Sequence, residues 1–442
     1  MTCRRSDIVD AGSPGVYHCI SRCVRRESLI EDPARRAWIV TRLQFLASWM
    51  AVDVVSFAVM RNHIHLLLAI RPDIVAKWSD REVAERRASL LQNRRVRRQQ
   101  GIAPDAPPTP AEIGAILASP VGIARARADL CSLGFLHRLL KEPCARMWNR
   151  QDRVTGHFWE GRFKSPRVLD LQGLVHVARY IELNEVHAGA AATVQESAWT
   201  SASVQWSRLV GALREVGRAH GDALTPELVA AHVLGEGWRP AIPCRASRSA
   251  AVDASKDRSR RPKRMRRPPR PALVRSSAWA GSALGPEPGD DALTLVSHLH
   301  DLNLSGRFAR PDKSGRIQPD ADSPLRAALL KAFEVPGDSA PEVEPALQVS
   351  GRASRGTRAT VEFVDACVGA VWARMHPRSV PRREASRDAP PRLVATSRGT
   401  CYGDADSVAR EARRRGRGRL WVGLLRSEPE VSAQPVADVD AA

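Results

Sequence analysis

The chain has 442 residues, more than the roughly 100–200 residues of one ordinary domain, so we expect more than one structural unit. Lys and Arg total 68 against 48 Asp and Glu, and the net charge of +20 indicates a polyanionic partner, most simply nucleic acid. The sequence has neither a run of roughly 18 apolar residues nor an apolar segment behind Arg4 and Arg5, which argues against a membrane or secreted protein and predicts a cytoplasmic one.

The first predicted elements alternate between strand and helix. Residues 15–24 are β-prone, and a helix with apolar residues at steps of three and four begins at Asp32 or Pro33. Residues 54–60 and 63–70 predict two strands, and the short turn between them makes an antiparallel hairpin. Helices are then expected within 77–100, 111–117 and 121–150, as an insertion at about 72–156.

The elements after the insertion complete one domain, expected to span residues 1–210. Residues 158–168 predict a strand, and Asp170 caps a helix that runs to about Asn184. The order of strand, helix, two strands, helical insertion, strand and helix predicts an α+β fold. We expect a ferredoxin-like antiparallel sheet covered by helices on one face, followed by a helical extension at 211–240.

Charge separates this domain from the rest of the chain. Residues 241–277 contain twelve Lys or Arg and two Asp, so they carry half of the net charge. Repulsion and proline oppose packing there, and we predict a disordered basic linker at 241–285, either a solvated tether or a phosphate-binding arm. Residues 286–442 are expected to form an accessory, partly disordered region, with helices near 291–304, 325–333 and 359–375.

Two histidines and a tyrosine are the candidate chemical groups. Alternation along a strand directs His63 and His65 to the same face, where two imidazoles can bind one divalent cation, although such a pair is also common by coincidence on a half-exposed strand. Tyrosine occurs at only three positions, and Tyr180 lies at the polar edge of the helix that ends near Asn184, one turn later. A tyrosine at the margin of a core gives the same pattern.

Four ordered blocks carry a family resemblance. MRNHIHLLL at 60–68 resembles the His–apolar–His strand of insertion-sequence-200-like single-tyrosine transposases, a family that includes those associated with repetitive extragenic palindromes. YHCISR at 17–22, GHFWEGRFKS at 156–165 and RYIELNEVHAG at 179–189 resemble that family's first strand, the strand before its tyrosine helix, and the tyrosine helix. The resemblance covers about residues 15–206, and LNLSGR at 302–307 is similar to a tail of longer members.

The resemblance implies a DNA transposase that cleaves and rejoins single-stranded DNA. His63, His65 and Asn184 would hold Mg²⁺ or Mn²⁺, and Tyr180 would attack the phosphorus to give a 5′-phosphotyrosine link. The expected partners are single-stranded DNA beside a hairpin, whose stem the basic insertion would hold, and a second copy of the chain in a homodimer. The DNA-contacting residues expected near the site are Arg22, Arg162 and Lys164.

Two residues depart from the family pattern, and two other functions remain open. Arg61 and Glu185 stand where proline is common; Arg61 affects only the stiffness of the turn, whereas Glu185 adds a negative charge beside the predicted metal site. The alternatives are a domesticated protein that binds nucleic acid without cutting it, and a metal phosphodiesterase that uses water as the nucleophile.

Overall fold

The computed structural model describes residues 9–92, 94–103, 106–244, 294–307, 314–333, 356–375, 394–396, 401–403, 405–414 and 422–424. The strands are β1 (Gly15–Arg22), β2 (Val52–Val59), β3 (His63–Ile70), β4 (Arg167–Val168), β5 (Val394–Thr396), β6 (Cys401–Gly403) and β7 (Val422–Leu424). The helices are α1 (Pro33–Trp49), α2 (Pro72–Val75), α3 (Asp80–Leu90), α4 (Arg94–Gln99), α5 (Pro110–Leu117), α6 (Pro120–Leu130), α7 (Leu133–Gln151), α8 (Leu171–Glu182), α9 (Asn184–His187), α10 (Ser201–His220), α11 (Pro226–Gly235), α12 (Leu295–Arg307), α13 (Pro324–Phe333), α14 (Gly356–Met375) and α15 (Ala405–Arg414). Among the described helices, none combines the length and apolar content required to cross a bilayer.

The fold is α+β, as predicted, and is built on an antiparallel sheet. The first four strands lie in the order β2-β3-β1-β4, all antiparallel, and β6, β5 and β7 continue the sheet beyond β4, with β6 parallel to β4. The strand predicted at 158–168 is reduced to β4, preceded by single pairings of Lys164 with Ile20 and of Trp159 with Cys23. Pro166 has no N–H to donate to a ladder, which interrupts regular pairing just before β4.

Helices cover both faces of the sheet, so the prediction of helices on one face is wrong. All eight residues of β2 are buried, and neighbouring residues belong to different cores. Val55 packs with Leu67 and with α8 and α10, whereas Val54 packs with Leu66 and with α1 and α7. A strand buried on both faces carries apolar residues almost continuously, as β2 does.

Capping residues place the two helices that flank the sheet. The Asp32 side chain accepts a hydrogen bond from the N–H of Ala34 at the start of α1. The Asp170 side chain accepts one from the N–H of Gly173 at the start of α8, at 2.7 Å. Both carboxylates satisfy N–H groups that an α-helix leaves without internal partners, so each helix begins at a defined residue. The start predicted for each helix is confirmed.

Several arginines of the insertion are neutralised within it. Arg86 is fully buried, pairs with Glu82 at 2.8 Å and places its guanidinium 3.9 Å from the ring centroid of Trp78. Arg97 is also buried and pairs with Glu112 at 2.9 Å. These cations stabilise the helical insertion and do not face solvent. The number of basic residues in the insertion is therefore larger than the number of positive charges available to bind nucleic acid.

The first residues of the predicted basic linker are ordered at the edge of the sheet. Ile242 exchanges two backbone hydrogen bonds with Val54, and the N–H of Ala241 donates to the carbonyl of Val55. The N–H of Cys244 donates to the Asp53 carboxylate at 2.7 Å. These contacts protect the free edge of β2 from pairing with another chain. Residues 245–285 of the predicted linker lie outside the described residues.

The described residues beyond 293 pack on the first domain. α10, α11, α12, α13 and α14 form a helical layer whose core is continuous with that of α8. Gly315 lies against the exit of α9, where its N–H donates to the carbonyl of His187. Residues 294–307 and 314–333, which were expected to belong to an accessory region, contribute to the same core as α8.

We expect Gly315→Ala to destabilise the protein. A Cβ atom at this position would lie 2.0 Å from the carbonyl oxygen of Val186 and 2.6 Å from the nitrogen of Gly189, so the backbone must move, at a cost of about 1–3 kcal/mol. Gly211→Ala is the control, because a Cβ there meets open space within α10 and should stabilise the helix by about 0.5–1 kcal/mol. Urea unfolding measures both, and equal midpoints would contradict the packing of Gly315.

Candidate active site on the α8 face of the sheet

The two predicted histidines lie side by side on β3. Their ring centroids are 4.8 Å apart with an interplanar angle of 79°. His65 is buried and His63 is partly exposed, so the pair sits at the border between the core and the end of the strand. Both residues share a face with Leu67, which packs in the core beneath α8. The imidazoles are therefore oriented towards α8 and away from α1.

The Nδ1 atom of each imidazole is engaged in a hydrogen bond with a neighbouring side chain. His63 Nδ1 lies 2.6 Å from Asn62 Oδ1, and His65 Nδ1 lies 2.9 Å from His18 Nε2. The Asn62 amide nitrogen donates to the carbonyl of Arg26, so its oxygen is the acceptor for a proton on His63 Nδ1. A proton on Nδ1 places the basic lone pair on Nε2, which is the tautomer of a metal-ligating histidine supported from behind.

His18 was not predicted as a site residue. It is buried on β1, and burial lowers the pKa of its imidazole to about 3, so the ring is neutral at neutral pH. A neutral His18 can accept the Nδ1 proton of His65 and thereby set the tautomer of that ring. Alternation within β1 indicates the face that His18 shares, but only the register with β3, in which Ile20 opposes His65, brings the two rings together.

Tyr180 approaches the histidines from α8. Leu174, Val177 and Ile181 form the buried side of this helix, and Tyr180 lies partly buried at the margin of that side. Its ring centroid is 5.6 Å from that of His65, edge to face.

A second phenol approaches from the extended sheet. Tyr402 of β6 is 6.1 Å from His18 between ring centroids, the same separation as Tyr180 from His18. Two of the three tyrosines of the chain therefore border the histidine cluster. Tyr402 comes from a strand 222 positions after Tyr180, and no pattern in the sequence indicated it.

Asn184 begins α9, directly after the tyrosine helix. Its amide nitrogen donates to the carbonyls of Tyr180 and Ile181, at 2.8 and 3.1 Å. These two bonds orient the amide, and Oδ1 is the atom that remains for a cation. The residue is 7% exposed, so the amide is held within the fold next to Tyr180.

Glu185, which was expected to add a negative charge beside the predicted metal site, has partners for its carboxylate. Its carboxylate accepts a hydrogen bond from the N–H of Trp199 at 3.0 Å and lies 3.5 Å from a guanidinium nitrogen of Arg36. Burial raises the pKa of this carboxyl, while the hydrogen bond and the arginine oppose that rise. The side chain thus ties α9 to α1, and its charge is paired with that of Arg36.

The three predicted DNA-contacting residues lie around β1. Arg22 ends that strand and opposes His63 in the register. Lys164 pairs through its backbone with Ile20, whose other neighbour is His65, so Lys164 shares the face of the histidines, one strand beyond β1. Arg162 precedes it by two residues, and both side chains are exposed. The structure therefore places basic groups beside the histidine pair.

The two imidazoles of β3 can supply two donors to a divalent cation. Among the described residues, no group of three or more His, Cys, Asp or Glu side chains is arranged to hold a metal. The histidine pair alone is an incomplete donor set, which leaves positions for other oxygen ligands and water. His18 is hydrogen-bonded to His65, so its Nε2 atom is engaged with the neighbouring ring.

Comparisons with known proteins give one structural alignment and no sequence match. No family model matches the chain, and no curated protein matches it. A solved structure of a REP-associated tyrosine transposase bound to a REP hairpin aligns with 47% of this chain and 87% of that one, at 10% identity and a TM-score of 0.25. A TM-score of this size shows neither a shared fold nor a shared function. The functional proposal is therefore based on the residues described above.

Proposed function

We propose that this chain is a metal-dependent DNA strand transferase, a single-tyrosine transposase built on an antiparallel sheet. The observation that carries the proposal is the packing of the Tyr180 ring against His65, in a pair of histidines whose Nδ1 atoms are both hydrogen-bonded. A nucleophile, two oriented nitrogen ligands and an amide oxygen are thus supplied by β3, α8 and α9. Each group alone is common in proteins, and the contact of Tyr180 with the histidine pair on one face of the sheet supports the assignment.

Two imidazoles and an amide would hold the cation. His63 and His65 would bind Mg²⁺ or Mn²⁺ through Nε2, and Asn184 through Oδ1. Such an ion, when bound, polarises a phosphate and offsets the charge that develops on its oxygens. His18 and Asn62 orient the two rings from behind, so that little rearrangement accompanies binding.

Tyr180 would act as the nucleophile on the phosphorus of the scissile phosphodiester. The bond from the phenolic oxygen to phosphorus forms as the bond from phosphorus to the 3′ oxygen breaks, which leaves a 5′-phosphotyrosine link and a free 3′-hydroxyl. The phenolic proton is lost, and the departing 3′ oxygen gains one. Because the covalent link retains the energy of the phosphodiester, a second 3′-hydroxyl can reverse the step and join the strands without a nucleotide cofactor.

Single-stranded DNA is the proposed substrate. Arg22, Arg162 and Lys164 would contact its phosphates beside the histidines, and the net charge of +20 favours association with such a polyanion. Exchange of two strand ends needs two nucleophiles, so we propose a homodimer in which each copy supplies one Tyr180. The catalytic unit is proposed to lie within residues 1–210.

A denaturing gel tests the proposal. The protein is incubated with Mn²⁺ and single-stranded DNA oligonucleotides, one set labelled at the 5′ end and one at the 3′ end. We expect a covalent adduct that retains the 3′ label, together with a released 5′-labelled fragment that ends in a 3′-hydroxyl. Cleavage without an adduct would identify a phosphodiesterase that uses water, and binding without cleavage would identify a nucleic-acid-binding protein.

A further inference from the structure

A buried carboxylate on the tyrosine helix is held by a residue from beyond the basic stretch. Glu182 lies two positions after Tyr180 and is fully buried, and its Oε2 is 2.6 Å from Nε2 of His298 on α12, which is also fully buried. Two positions along a helix correspond to a rotation of about 200°, so Glu182 and Tyr180 leave α8 on opposite sides. His298 therefore contacts the tyrosine helix from behind the nucleophile.

The other oxygen of Glu182 connects the same helix to the sheet. The hydroxyl of Ser201, at the start of α10, donates to Oε1 at 2.6 Å and accepts a hydrogen bond from the N–H of Phe57 on β2 at 3.0 Å. Ser56 adds a further contact, 2.8 Å between the two hydroxyl oxygens. Both carboxylate oxygens of Glu182 are thus satisfied, and the network links α12, α8, α10 and β2 in one buried unit.

A second ion pair and a close backbone approach extend the contact along α8 and α9. Asp301, one turn after His298, pairs with Arg179, the residue before Tyr180. A Cβ at Gly306 would lie 2.6 Å from Ile317 and 3.1 Å from Leu183, and Ile317 donates its N–H to the carbonyl of Gly306. The chain after α12 thus returns to the C-terminal end of the tyrosine helix, where Asn184 begins α9.

Buried contacts of this kind are not expected of a tail that is only loosely attached to the domain. A buried carboxylate without a partner carries a large desolvation cost, so Glu182 requires His298 to remain in the core. Gly306 belongs to the LNLSGR segment, which so far has no role. We propose that residues 294–307 and 314–317 form a clasp that fixes the tyrosine helix on the sheet, with His298 as a positioning residue for Tyr180.

The proposed clasp acts on the same site as the proposed strand transfer. Its role in positioning Tyr180 rests on that proposed function. A clasp that fixes the nucleophile changes the rate of the chemical step and leaves DNA affinity unaffected, because a small misplacement of a reacting group slows the reaction steeply. The clasp also restricts the backbone of α8, and amide exchange reports that restriction without any reaction. These two readouts separate the clasp from the function.

The experiment compares His298→Ala, His298→Gln and the control His300→Ala in the full-length chain. His300 lies on the same helix, and its ring packs against that of Trp372 on α14, with 4.9 Å between the ring centroids. Single-turnover adduct formation is measured at saturating DNA with Mn²⁺, DNA affinity by fluorescence anisotropy, and hydrogen exchange on peptides from α8 and α1.

We expect His298→Ala to slow adduct formation by about ten-fold or more with unchanged DNA affinity, and to accelerate exchange in α8 but not in α1. His298→Gln should restore most of both properties, since its amide nitrogen reaches the position of Nε2. The inference is overturned if His298→Ala matches His300→Ala in α8 exchange, or if His298→Gln fails to restore that protection.

A milder variant tests the clasp even if His298→Ala does not fold. Asp301→Asn weakens a partly exposed pair with Arg179 and leaves the buried network intact. It should accelerate exchange in α8 selectively, and the absence of any change would count against the clasp. If the wild-type protein forms no adduct at all but His298→Ala still loosens α8, the clasp stands and the proposed strand transfer fails.

Discussion

Tyr180→Phe is expected to abolish the covalent protein–DNA adduct while DNA binding and folding persist. The substitution removes one oxygen atom, and that atom is the proposed site of the new bond to phosphorus. The ring itself remains, so its edge-to-face contact with His65 and its place at the margin of the core are preserved. Gel detection of the adduct, with anisotropy for DNA affinity and circular dichroism for folding, measures the three properties separately.

Tyr402→Phe is the matched control for this prediction. Both tyrosine rings lie 6.1 Å from His18 between centroids, and the Tyr180 ring also lies 5.6 Å from that of His65. The third tyrosine is no candidate, because Tyr17 is fully buried and its hydroxyl oxygen accepts a hydrogen bond from the N–H of Asp10. An adduct that survives Tyr180→Phe and disappears with Tyr402→Phe would assign the nucleophile to the C-terminal strand and refute our assignment.

Local periodicity predicted the face that His63 and His65 share and the place of Tyr180 on its helix, whereas their proposed roles as ligands and nucleophile came from the family resemblance. The shared face of His63 and His65 follows from alternation along one strand, and the position of Tyr180 follows from the apolar stripe of one helix. Both inferences need only residues that are close in the sequence. The order of the elements likewise predicted an antiparallel sheet, because a strand pair joined by a two-residue turn has few alternatives.

The features that the sequence did not reveal depend on contacts between distant segments. His18 supports His65 only because β1 pairs with β3 in one particular register. His298 and Glu182 are 116 positions apart, and no local pattern links them. Glu185 was expected to place a negative charge beside the predicted metal site, but its carboxylate pairs with the guanidinium of Arg36 on α1.

The sequence of β2 contains one signal for the second helical layer. β2 reads VDVVSFAV, with apolar residues at adjacent positions, whereas a strand exposed on one face alternates apolar with polar residues. The polar pair in that strand is also informative: Asp53 accepts a hydrogen bond from the N–H of Cys244, and Ser56 bonds to Ser201. Both polar side chains are satisfied by segments from far along the chain, so their burial is compatible with the fold.

His65→Ala is expected to remove both divalent-cation binding and adduct formation. The change deletes a proposed ligand and also leaves Nε2 of buried His18 without the hydrogen bond that it shares with His65. Loss of even a supporting residue behind a ligand typically lowers metal affinity by about 10–100-fold, so the loss of the ligand itself should exceed that range. Calorimetric titration with Mn²⁺ measures the binding directly, without DNA and without activity.

The test compares the Mn²⁺ affinity of alanine variants of three histidines in different positions. His63→Ala should behave as His65→Ala does, because the two rings are proposed to share one ion. His220→Ala should bind Mn²⁺ as the wild type does, since His220 is exposed at the C-terminal end of α10 and is not one of the proposed ligands. Chelation of the wild-type protein with EDTA should stop adduct formation, and added Mn²⁺ should restore it. Unchanged Mn²⁺ affinity in His65→Ala would mean that the histidine pair holds no ion, and the proposed mechanism would then lose its metal site.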